Sequence, residues 1–146
     1  MQDIGAFGLK VTLTASVTFP SGIVLSQFPD DTDPLDMASI QIADKASGLN
    51  GDLVTWSKAT PVPLSLSVIP GTEDDINLSL LANANRVARG RTPARDVITA
   101  TVSYPDGTSV RLIKGKITDA VVGRPVSSAG RMKTKVYQFA FEDIQE

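Results

Sequence analysis

From residue 8 to residue 19 apolar and polar side chains alternate. Leu9, Val11, Leu13, Ala15, Val17 and Phe19 fall on one side and Lys10, Thr12, Thr14, Ser16 and Thr18 on the other. A period of two over this length is that of a half-buried strand. Pro20-Ser21-Gly22 then reads as a turn, and residues 23–28 as the returning strand of an N-terminal hairpin. Residues 38–43 alternate again, with Ile40 and Ile42 on one face. Residues 45–52 are turn-like, with Gly48, Asn50 and Gly51, and residues 53–56 form a short strand. Trp56, the only tryptophan, is expected to anchor a core or an interface. Pro61 and Pro63 open a strand over residues 64–69, where loss of an N–H costs least.

The period changes after Pro70-Gly71. Thr72 is a good helix N-cap with Asp75 three residues on, and Glu73, Asp74 and Asp75 place negative charge at the positive end of the helix dipole. The spacing of Ile76, Leu80, Leu81, Ala84 and Val87 predicts a helix over residues 73–89 with this stripe packed in the core. Arg86 and Arg89 suit its last turn and Gly90 its C′ position. A linker, 91–95, leads to a strand over 96–104, a Pro105-Asp106-Gly107 turn and a returning strand over 108–118. Gly115 inside that strand points to a bulge or a close backbone approach. A loop, 123–130, precedes a last strand over 134–142, with Tyr137, Phe139 and Phe141 on one face. The sum is one domain over residues 1–146. Its class is mainly β, an antiparallel β-sandwich or barrel with one flanking α-helix.

Composition narrows the function. The chain has 146 residues and contains neither cysteine nor histidine. Disulfides, thiolate nucleophiles, Cys/His zinc sites and catalytic imidazoles are thereby excluded. The adjacent acids Asp74 and Asp75 are explained by the helix start, and Glu142 and Asp143 point to opposite faces of a strand. No phosphate-binding loop or Gly-x-Ser-x-Gly elbow occurs. The reading is a chain that is not an enzyme, with no catalytic residue, no cofactor and no metal. No apolar run is long enough for a membrane span and no secretory signal is visible, so no membrane partner and synthesis in the cytoplasm are expected.

The net charge of −2 hides an asymmetry. Residues 1–75 carry ten acids and three bases, a net of −7, and residues 76–146 carry eleven bases and six acids, a net of +5. Opposite potentials on two faces orient association between identical subunits. The acids of the loop over residues 29–36, Asp30, Asp31, Asp33 and Asp36, are candidates for one side of such a contact. Arg111, Lys114 and Lys116, with Lys114 and Lys116 on one strand face, and Lys133 and Lys135 before the last strand are candidates for the other. Solvated surface and blunted sheet edges are the plainer readings of the same basic residues.

The layout resembles the tail tube proteins of contractile-tailed bacteriophages. The likeness lies in the alternating N-terminal hairpin followed by an acidic loop, then Pro34-Leu35-Asp36-Met37-Ala38-Ser39-Ile40, Gly51-Asp52-Leu53-Val54 and Pro63-Leu64-Ser65-Leu66-Ser67-Val68. It continues through the Leu-rich helix to Phe139-Ala140-Phe141-Glu142-Asp143-Ile144. The resemblance implies a structural subunit of the virion tail, made in the host cytoplasm. Copies would form hexameric rings that stack into a hollow conduit for DNA ejection. Its implied partners are further copies of itself, a tail sheath protein, and baseplate and tail terminator proteins. Double-stranded DNA would pass through the lumen without sequence-specific binding. A tube subunit of a type VI secretion or tailocin-like machine, and a monomeric β-sandwich binding module, are the alternatives.

Overall fold

The computed structural model describes residues 8–29, 34–121, 123, 124, 126, 128, 130 and 132–146. Among them the elements run β1 (Lys10–Ala15), β2 (Phe19–Leu25), β3 (Leu35–Asp36), β4 (Ala43–Ser47), β5 (Leu53–Ser57) and β6 (Val62–Val68). They continue with α1 (Glu73–Asn85), β7 (Ile98–Ser103), β8 (Ser109–Ala120) and β9 (Lys135–Gln145). Seven strands form one antiparallel sheet in the order β2-β1-β7-β8-β9-β6-β3, while β4 and β5 pair only with each other. The sheet curls into a half-barrel, so the architecture is mainly β with one helix, as the alternation predicts.

The pleat builds the core. Val11, Leu13 and Ala15 of β1 point the same way as Ile98, Ala100 and Val102 of β7, and all are buried. Leu64, Leu66 and Val68 of β6 and Tyr137, Phe139 and Phe141 of β9 continue the layer, and Leu78 and Leu81 of α1 close it. The opposite face carries Thr12 and Thr14, Thr99 and Thr101, Arg111 and Gln138. The apolar side thus meets the helix and the hydroxyl-rich side faces away.

Gly115 shows both features its position suggests. The β7–β8 register shifts beside it, at Lys114, which has a φ of 53°. A Cβ at Gly115 would lie 2.2 Å from the Phe141 ring, so only glycine lets β8 and that ring approach.

Four expectations are corrected. The first hairpin turns at residues 16–18, and Pro20-Ser21-Gly22 lies inside β2, where the pairing jumps from Leu13↔Ile23 to Ala15↔Phe19. What reads as a turn is a bulge, with Gly22 at a φ of 86°. Residues 38–42 form no strand; pairing starts at Ala43 and takes in residues read as a turn. The helix stops at Asn85, four residues early, where the Asn85 amide turns to the chain ahead: its Nδ2 donates to Asp96 Oδ2 at 2.8 Å as well as back to Leu81 O at 2.9 Å. Gly90, φ 76°, instead sits in the turn closed by Arg91 N–H on Ala88 O. Finally, the inward face of α1 is Asp74, Asp75, Leu78 and Leu81, whereas Ile76, Leu80 and Val87 are exposed.

Candidate assembly interface

Three acids on buried backbone fix the surfaces of the molecule. Asp74 Oδ2 accepts the N–H groups of Ser26 and Gln27 at 2.9 and 2.8 Å, clamping the chain leaving β2 to the helix start. Asp96 Oδ1 accepts from Val17 N–H at 2.7 Å and Thr18 N–H at 2.9 Å, and its Oδ2 accepts from the Thr18 hydroxyl and from Asn85 Nδ2. The Asp96 N–H in turn donates to Asn85 Oδ1 at 2.9 Å. One carboxylate therefore joins the β1–β2 turn, the end of α1 and the approach to β7. Burial works against its charge, but the Thr18 hydroxyl and N–H, the Asn85 amide and the Val17 N–H outweigh it and hold the carboxyl below its ordinary range.

Asp75 does more than cap. Its Oδ1 accepts from Tyr137 Oη at 2.8 Å and pairs with Lys135 Nζ at 3.0 Å, its Oδ2 accepts from Gly71 N–H, and its own N–H reaches Thr72 Oγ1 at 3.4 Å. Ser79 Oγ completes the cluster, 2.8 Å from Tyr137 Oη and 3.0 Å from Lys135 Nζ. Burial opposes both charges; for Asp75 the Gly71 N–H, Tyr137 and Lys135 overcome it and lower the carboxyl pKa. Tyr137 and Asp75 likewise raise that of Lys135. Burial pushes the Tyr137 hydroxyl up. Every member has a partner, which is what keeps a buried polar group from destabilising the core.

Of the basic candidates, Arg111, Lys114, Lys116 and Lys133 are exposed, as a contact surface requires. Lys114 occupies the bulge, which breaks the alternation that would put it on one face with Lys116. Lys135 is corrected: it is buried on the Asp75 side of β9, and its ammonium is satisfied inside the chain. Among the acids, Asp36 is exposed at the end of the two-residue β3, while Asp30, Asp31 and Asp33 lie outside the described residues. Groups of three or more acids able to hold a metal ion are absent among the described residues.

Sequence reading named Trp56 as a core or interface anchor and residues 53–56 as a strand, but not the exposed apolar surface around them. In the β4–β5 hairpin Asp44 pairs with Trp56 and Ala46 with Val54, so these four share one face. The Lys58 N–H on Ile42 O, 2.8 Å, extends the ladder and adds Ile42 to it. Every residue of β5 is exposed, and Ile42, Val54 and Trp56 are 74%, 54% and 47% accessible. A two-stranded hairpin with neither face covered is marginal in water. A second such feature lies along α1, where the exposed Ile76 borders a cleft of about 560 Å³ also lined by Ala82, Ile117, Val121, Arg86 and Arg124. Among the described residues the sheet ends on β2, an edge strand of seven residues.

A protein-family model described as tail fiber protein gp32 matches residues 2–145, nearly the whole chain. The chain belongs to that family. This family member is thus a structural tail component and not an enzyme. Its fold is shared with chains of the anti-feeding prophage and of an extracellular contractile injection system. One, in the anti-feeding prophage cap that terminates the tube, aligns with a TM-score of 0.60 at 12% identity, covering 99% of this chain and 91% of that one. A second, in the anti-feeding prophage baseplate, gives 0.55 at 9% identity, covering 99% and 95%. A third, in the extended sheath–tube complex of the PVC extracellular contractile injection system, gives 0.54 at 12% identity, covering 98% and 90%. No curated protein matches the sequence closely enough to count as a relative.

Proposed function

We propose that this family member is a ring-forming subunit of a contractile tail tube, in the shaft or at its end, and that its chemistry is self-assembly. The observation that carries this is the uncovered β4–β5 hairpin, an element whose apolar side chains no other described part of the chain buries. It is joined by the open edge at β2, whose unpaired backbone groups a neighbouring copy satisfies. A curled sheet closes into a continuous wall only when several half-barrels are set side by side, and contacts between unlike surfaces produce rings. Hexameric rings are the expected outcome. The hydroxyl-rich face with Thr12, Thr14, Thr99 and Thr101, flanked by the bases Lys10 and Arg111, offers a polar stretch of wall to a lumen through which double-stranded DNA passes without sequence readout. Sheath, baseplate and terminator proteins are the expected partners beyond further copies.

A position at the end of the tube is supported by the fold likeness to a chain of the tube-terminating cap. Negative-stain microscopy of the purified protein separates the readings. A shaft subunit gives tubes of uniform diameter and open length; a terminal subunit gives single or doubled rings that cap and do not extend. A protein that stays monomeric at high concentration in every salt condition refutes both.

A further inference from the structure

We infer that the β4–β5 hairpin of one copy docks into the α1–β8 cleft of the next copy, with Trp56 as the anchor. This contact rests on the self-assembly reading above and specifies which surfaces meet. Both surfaces are on the same chain, and neither is covered within it: Trp56 is 47% and Ile76 56% accessible. They differ in kind, a projecting ribbon and a recess, so they cannot meet by a two-fold axis through either one. Repeated head to tail, such a contact is heterologous, the type that closes rings.

The pieces match in size and chemistry. Five-residue strands make the hairpin about 16 Å long, and the thirteen-residue helix bordering the cleft is about 20 Å long. The cleft volume of about 560 Å³ exceeds what one indole fills, leaving room for Val54 or Ile42 beside it. Its apolar lining, Ile76, Ala82, Ile117 and Val121, suits an aromatic anchor of the kind that dominates interface energetics. Charge sets the direction. Among the described residues Arg86 and Arg124 at the cleft make no ion pair, and neither does Asp52 beside the hairpin tip, whereas Asp44 at the base is held by Lys58 at 3.7 Å. Tip toward the arginines brings Asp52 to them, in addition to Asp119, an acid that already lines the cleft; the reverse direction brings them only Asp44, which Lys58 already holds.

The chain contains no cysteine and one tryptophan, which makes the contact directly testable. Val54→Cys and Val121→Cys proteins, each otherwise intact, are mixed, assembled and oxidised. The expected result is a disulfide between unlike proteins, absent when either is oxidised alone, and a blue-shifted Trp56 emission on assembly. Trp56→Ala, with its circular dichroism unchanged, should raise the concentration needed for assembly roughly thirtyfold, with Trp56→Phe between it and the parent. Rings that form with no mixed disulfide and with solvent-like Trp56 emission overturn the contact and leave the self-assembly reading standing. A Val54→Cys homodimer in place of the mixed one overturns it in favour of hairpin-to-hairpin pairing. Absence of any assembly refutes the self-assembly reading and this contact with it.

Discussion

Replacing Asp96 with alanine tests the assignment of that carboxylate as the tie between the first hairpin and the helix. The side chain is fully buried, and truncation strands the N–H groups of Val17 and Thr18, the Thr18 hydroxyl and one Asn85 amide hydrogen. A buried donor left without an acceptor costs about 1–3 kcal/mol. Water entering beside the turn recovers part of this, so the net loss should be roughly 3–5 kcal/mol. For a chain of this size the midpoint of thermal unfolding should fall by about 10 °C. Urea titration followed by circular dichroism reads the first quantity and a thermal scan the second. Asp96→Asn, which keeps an acceptor for the two backbone N–H groups but turns an NH₂ toward Asn85, should lie between parent and alanine. The linkage has a definite sign. The folded carboxyl titrates below its ordinary value of 3.8, so its contribution is complete well above that pH and is lost as pH falls through the folded value. The parent should lose stability on acidification below about pH 4, and Asp96→Asn should lose less over the same interval. A cost below about 1 kcal/mol for Asp96→Ala, or identical acid profiles for parent and Asp96→Asn, would refute the assignment.

Lys135→Ala should cost about 3–5 kcal/mol, because it leaves the Asp75 carboxylate buried without its cation, while Lys135→Met with Asp75→Leu should recover much of that loss; chemical denaturation of the three proteins checks the order. The same pair should destabilise the parent at alkaline pH, since the folded ammonium titrates above its ordinary 10.5 and its contribution is lost as pH rises through the folded value. Gly115→Ala should cost about 1–3 kcal/mol or more through the collision with the Phe141 ring, with Phe141→Leu in the same chain restoring part of it; urea midpoints decide. Charge reversal of Arg111 and Lys116 together should leave the unfolding midpoint within about 0.5 kcal/mol of the parent, and if these residues contact a neighbour it should abolish the salt dependence of assembly seen by light scattering.

The strands that pack the core were readable because alternation is a direct imprint of a sheet with one dry face. Leu9–Leu13, Leu64–Val68 and Tyr137–Phe141 all point where their period puts them. The helix was readable at its start, where Thr72 and Asp75 act locally, and not at its end, where Asn85 is recruited by Asp96, eleven residues on. Its buried face was misjudged for a related reason. Asp74 and Asp75 turn inward because partners just beyond β2 and in β9 await them, and no helical periodicity records partners 47 to 62 residues away. The same holds for Lys135, a surface residue by type and a core residue by virtue of Asp75. Pro20-Ser21-Gly22 carries the composition of a turn, and bulges use the same residues for the same backbone freedom. The β4–β5 hairpin was half legible: Leu53–Trp56 alternates too weakly to show a dry face, because within one chain it has none.

Strand order has a consequence for when these surfaces come into being. Strand β9 lies between β8 and β6, and it alone joins the group β2-β1-β7-β8 to the group β6-β3. Strand β1 in turn waits for β7, since Lys10–Ala15 pairs with Ile98–Ser103. Sheets closed by such distant pairings form late and slowly. A nascent chain made at about 5–20 residues per second therefore carries two unjoined half-sheets until residues 135–145 have been added. The α1–β8 cleft, which needs Lys135 on its wall, is completed in that same closing step. Under the proposed hairpin-to-cleft contact, subunits still under synthesis lack the recess that a finished copy would engage, and the topology then sets the order of folding first and assembling second.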